Sequence, residues 1–104
     1  MAQFDVYENI HSATRTNIPY LLDVQADLLD GLATRVVVPL VLTEKMSGAT
    51  HQFSPQFRIK GVAVVMSTGE LAGLPLRTLG EKVTSLKSKR AEIIAALDLL
   101  FTGI

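Results

Sequence analysis

Apolar residues recur along most of this chain with period two and along its last stretch with the helical period. Over 3–10, Phe4, Val6, Glu8 and Ile10 alternate with Asp5, Tyr7 and Asn9, which predicts a strand with one buried face. The small, polar stretch 11–17 reads as a loop. Pro19 then restarts an extended segment: over 20–28, Tyr20, Leu22, Val24, Ala26 and Leu28 face one way, while Leu21, Asp23, Gln25, Asp27 and Leu29 face the other. Asp30-Gly31 ends it in a turn. The β-branched run 35–43 predicts a central strand buried on both faces. Pro39 within it has no N–H to give a ladder, so a bulge or an edge position is expected there. Stretch 53–59 reads as a strand interrupted by Pro55, and Lys60-Gly61 as a tight hairpin turn into a further strand over 62–66. Gly69, Gly73, Pro75 and Gly80 punctuate the stretch between that strand and the helix, around a short strand near 74–78. Short strands at close spacing, then one helix, predict a small, strongly bent antiparallel barrel closed by that helix.

The helix is expected over 85–104, capped by Ser85 or Ser88 and stopped by Gly103. On a 3.6-residue wheel Ile93, Leu97, Leu100 and Ile104 share one face, flanked by Ala96 on one side and by Ile94 and Phe101 on the other; this is the core face. Ala95, Asp98 and Thr102 project oppositely, with Leu99 near them. An apolar terminus of this kind needs somewhere to pack, because chain ends otherwise fray in water. A second apolar feature is Leu28-Leu29. Neighbours in a strand point to opposite faces, so one of the two leucines cannot enter a one-sided core. If adjacent to the helix end, it would form a protein-binding patch.

Composition narrows the function classes. The 104 residues suit a single domain spanning 1–104 with a core that needs no staples. Ten acidic and ten basic residues cancel, which argues against direct DNA or RNA binding by a strongly basic surface. There is no cysteine, hence no disulfide framework and no thiolate metal site. Residues 1–10 carry charge where a signal peptide would be apolar, and no apolar run is long enough for a membrane span, so a cytoplasmic protein without membrane contact is expected.

Candidate chemistry is sparse. His11 and His51 sit in polar loops with no neighbouring nucleophile motif, and they make at most part of a zinc site. Asp23, Asp27 and Asp30 read as a solvated face rather than a metal cluster. The glycines lack the spacing of a phosphate loop, so no cofactor is expected.

The order of motifs is similar to that of the CcdB family of toxins. The resemblance runs from Gln3-Phe4 and Val6-Tyr7 through Leu22-Asp23-Val24-Gln25, Asp27 and Asp30, then Arg35, Val37 and Pro39-Leu40, to Leu79-Gly80-Glu81, Val83, Phe101, Gly103 and Ile104. It covers nearly the whole chain, with a longer loop near 11–17 as the main difference in length. It implies a mainly β fold, an SH3-like barrel with a small accessory sheet and a C-terminal helix, assembled as a two-fold homodimer. It also implies a non-enzymatic toxin of a toxin–antitoxin module that binds the DNA gyrase A subunit and traps the gyrase–DNA cleavage complex. A CcdA-like antitoxin neutralises such toxins, and the pair represses its own operon, so that DNA is met only through the antitoxin complex. The family's gyrase contacts fall on Leu28, Leu29, Asp98, Thr102, Gly103 and Ile104. The two leucines replace isoleucines. Thr102 stands where the best-known member has tryptophan, and Asp98 where it has asparagine, which implies altered gyrase affinity.

Two alternatives remain. The same barrel serves endoribonuclease toxins, for which Arg15, Arg35, Arg58 and His51 are the loose candidates. The other is a module that binds the antitoxin but has weakened gyrase poisoning through Thr102.

Overall fold

A computed structural model describes residues 1–48 and 50–104. Seven strands form one antiparallel sheet: β1 (Asp5–Asn9), β2 (Tyr20–Asp23), β3 (Thr34–Leu42), β4 (Gln56–Ile59), β5 (Val62–Met66), β6 (Ala72–Pro75) and β7 (Leu79–Ser85). Their order is β4-β5-β3-β2-β1-β7, with β6 also paired to β3. The helix α1 (Arg90–Thr102) comes last. This is the curled, mainly β barrel with one C-terminal helix that the alternation predicts.

Strand β3 is the spine. Its even-numbered residues turn their peptide groups to β2, as the Val24 N–H to Val36 carbonyl bond of 3.0 Å shows. The odd-numbered ones face β6 over 34–37 and β5 over 40–42. Pro39 falls where one partner gives way to the next, and its carbonyl takes the Ser67 N–H at 2.9 Å. The missing N–H therefore costs no ladder bond: of the bulge or edge position expected, the bulge is absent, since Pro39 stays in register with Leu21, and its N–H side lies at the gap between β6 and β5. The irregularities lie instead between β1 and β7, where the register shifts after Val6 and again after Tyr7. Such shifts strengthen twist and curl a sheet. The β4–β5 turn is as predicted, with positive φ at Lys60 (49°) and Gly61 (81°), the geometry of a two-residue hairpin loop.

The concave face collects Phe4, Val6, Leu22, Val38, Leu40 and Met66, and α1 lays Ile93, Ala96 and Leu97 upon it. Each such side chain contributes on the order of 1.5–3 kcal/mol by leaving water. Four expectations are corrected. The strand over 3–10 is not buried on one side: Asp5, Tyr7 and Asn9 are buried, while Glu8 and Ile10 are exposed, because the convex face carries a second layer of polar contacts. The strand over 20–28 stops at Asp23, whose Oδ1 accepts the Gln25 N–H at 2.9 Å and curls the chain. Strand β7 is an element the polar sequence did not announce. It shortens the helix, since Ser85 still pairs with Asp5 and the Leu86 N–H reaches the Phe4 carbonyl at 2.8 Å. A 3₁₀ turn, Lys87–Lys89, then leads into α1, and neither Ser85 nor Ser88 caps it.

Candidate protein-binding surface

Beyond Asp23 the chain makes a 3₁₀ turn, Asp27–Leu29. The expected strand end at Leu28-Leu29 is thus a turn, and both leucines reach solvent: Leu28 is 94% exposed and Leu29 48%. Leu32, which the alternation does not single out, joins them at 49%.

At the other end of the chain Gly103 takes φ 77° and its N–H closes on the Leu99 carbonyl at 3.1 Å, the expected left-handed stop. The reversal corrects the wheel for Ile104. It leaves the core face and stands 93% exposed, since the helix ends before it. Phe101, expected on the flank of the core, is 68% exposed because the barrel does not extend under the last helical turn. Asp98 and Thr102 lie on the outer side as expected. The Thr102 hydroxyl turns back to donate to the Asp98 carbonyl at 2.7 Å, which leaves its oxygen lone pairs and its methyl toward solvent.

The two regions meet. Leu29 and Leu32 from the turn, Val36 from β3, Leu71, and Leu97 and Phe101 from α1 line an apolar depression of about 390 Å³. Leu28, Asp98, Thr102 and Ile104 lie outside it. Of the predicted residues, the structure therefore brings only Leu29 into a shared hollow with the helix. The signal for Leu32 and Phe101 was present as apolar character; what sequence could not supply was how little of the barrel lies beneath them.

A polar frame holds the turn. Arg35 is buried, and its Nε and Nη2 donate to Asp23 Oδ2 at 2.9 and 2.6 Å, while Nη1 reaches Asp30 Oδ1 at 3.1 Å. Asp23 is thus buried and paired rather than solvated, a correction whose cause is the cation supplied by β3. Burial pushes the Asp23 carboxyl up, and the Arg35 guanidinium and Gln25 N–H oppose that shift. Nearby, Tyr7 donates to Asp5 Oδ2 at 3.3 Å, and Lys82 pairs with Asp5 Oδ1 at 3.4 Å. The Tyr7 phenol is pushed up to about 12, first by burial and then by the negative charge of Asp5 and Asp23.

On the convex face a second apolar hollow, of about 270 Å³, lies between Ile18, Leu21, Pro39 and Leu74. The polar groups at its rim are engaged locally: Asn9 with Thr14 and Ile18, His11 Nδ1 with the Ala13 N–H, Thr78 with the Pro75 carbonyl. His11 and His51 are both exposed and lie in loops. Among the described residues no helix is long and apolar enough to cross a membrane.

The curled barrel leaves an apolar helix end and an apolar turn side by side in solvent, a kind of exposed patch that marks interaction surfaces. The chain belongs to the CcdB family, toxins of toxin–antitoxin systems: the family model described as CcdB protein matches residues 3–103, essentially the whole chain. Leu28, Leu29, Asp98, Thr102 and Gly103 fall within the match, and Ile104 lies directly after it.

Proposed function

We propose that the protein is a gyrase-directed toxin that acts as a homodimer and is neutralised by a CcdA-like antitoxin, with which it co-represses its operon. The observation that carries the reading is the α1 terminus, where Phe101 and Ile104 are exposed beyond a left-handed Gly103 in a chain of this family. Paired across a two-fold axis, two such helices would enter the space between gyrase A subunits while the enzyme holds cleaved DNA, and resealing would be blocked. Leu28, Leu29, Asp98, Thr102, Gly103 and Ile104 are the residues assigned to gyrase. The apolar depression lined by Leu29 and Phe101 adjoins these residues and would be covered in the same encounter. No bond need be made or broken by the toxin itself, and the cytoplasm, where gyrase works, is its proposed site of action.

The test is cleavage-complex accumulation by gyrase with the full-length protein and with a variant lacking residues 102–104. Loss of poisoning in the truncated protein, with its oligomeric state unchanged in light scattering, is the expected result. Retained poisoning would overturn the assignment. The nuclease alternative loses one of its candidate groups, because Arg35 is buried and held by two carboxylates. Incubation with a long RNA, with no cleavage at defined sites expected, checks it directly.

A further inference from the structure

Gln25 is a buried amide in an unusual position. Strand β2 ends at Asp23, yet Val36 on β3 still turns its N–H to that side and needs an acceptor. Gln25 Oε1 supplies it at 3.0 Å. The same amide's Nε2 donates to the Leu29 carbonyl at 2.9 Å, and that carbonyl also accepts the Leu32 N–H at 3.2 Å. A side-chain amide thus does the work of a peptide unit, continuing the ladder for one more step and fixing the last residue of the leucine turn to β3. Only an amide offers a donor and an acceptor in this arrangement; a carboxylate keeps the acceptor alone, and a thioether neither. Two further ties converge on the same turn. Arg35 holds Asp30 at 3.1 Å, and Asp27 Oδ1 accepts the Gln3 N–H at 2.7 Å.

A two-leucine turn in water would not keep this shape through its own contacts, since Leu28 touches almost nothing. We infer that Gln25 is a positioning residue for partner binding, holding Leu28 and Leu29 in the conformation that a protein partner receives, with the Arg35–Asp30 pair as a second strut. Ordering the turn in advance removes an entropic cost from binding. The inference rests on the gyrase reading for the identity of the partner, and on the hydrogen bonds alone for the ordering of the turn.

The experiment is a double-mutant cycle on affinity for the gyrase A subunit, using wild type, Gln25→Met, Leu29→Ala and the combination. Gln25→Met is expected to weaken binding about tenfold, the scale of losing a buried hydrogen-bond pair. Combined with Leu29→Ala it should add little, because Gln25 acts through that residue. Full additivity, or no loss in Gln25→Met, would overturn the proposal. Amide exchange in the same variant should quicken at Leu32 and Val36 and stay slow at Leu22 and Leu40; uniform quickening would mark a general loss of stability and also overturn it. If Gln25→Met does not fold, Asp30→Asn on a half-exposed side chain gives the same cycle with a smaller expected loss. Unchanged binding in Leu29→Ala would refute gyrase contact at the turn, while the exchange pattern would still decide whether Gln25 orders it.

Discussion

Arg35 and Asp23 face each other across β3 and β2 with 2.6 Å between Nη2 and Oδ2 and no solvent exposure on either side chain. A buried pair of this kind is a weak source of net stability, but removing Asp23 leaves the buried Nε and Nη2 of Arg35 without an acceptor and only the half-exposed Asp30 as its counter-charge. Asp23→Ala is therefore expected to cost about 3–5 kcal/mol in urea unfolding, far more than the solvated aspartate Asp27 would.

Tyr7 gives the fold an alkaline limit. Its folded pKa of about 12 lies above the ordinary 10.0, because burial and the carboxylates of Asp5 and Asp23 disfavour the phenolate. A raised folded value means that the stabilisation is fully present below pH 10 and is lost as pH climbs from 10 toward 12. Thermal melts of wild type should fall across that window, and Tyr7→Phe should fall less.

Thr102 offers a methyl where the family's best-known member has a ring. On the proposed gyrase reading, Thr102→Trp is expected to tighten gyrase A binding by about 1–2 kcal/mol through stacking on an arginine. Calorimetric titration against the gyrase A subunit checks this, and equal affinities would count against that pairing.

Gly80 lies so close to β1 that an added Cβ would stand 2.8 Å from the Glu8 carbonyl. Gly80→Ala should destabilise by about 1–3 kcal/mol by forcing β7 away from β1. Gly73→Ala is the control, since a Cβ there meets open space, and its unfolding midpoint should barely move.

One division separates the features legible in the sequence from those hidden in it. The Lys60-Gly61 hairpin, strand β5 and the Gly103 stop were legible because each depends on the residue's own backbone preference or on a run of β-branched neighbours. Strand β7 was not, because Leu79–Ser85 is half polar and becomes a strand only when β1 offers it a partner. The same pairing explains why the helix starts at Arg90 rather than near Ser85. Asp23 read as a solvated carboxylate until the fold brought it against Arg35. At the candidate site, the apolar character of Leu28, Leu29 and Ile104 could be read directly. Their setting could not, since the turn depends on side-chain bonds from Asp23 and Gln25, and the exposure of Phe101 depends on where the barrel stops.

The exchange of partners along β3 at Pro39 makes a seam in the sheet. On one side of it the β4–β5 hairpin joins the spine through only three residue pairs, Leu40 with Met66, Val41 with Val65 and Leu42 with Val64. Yet Ile59, Val64, Val65 and Met66 of that hairpin are among the most buried side chains of the molecule, so packing rather than the length of its ladder holds the hairpin at the seam. Its inner side chains, Phe57, Ile59 and Val64, belong to the core that α1 covers. The helix therefore ties the two sides of the seam together, and the change of partner at Pro39 is bridged through the core rather than along the sheet.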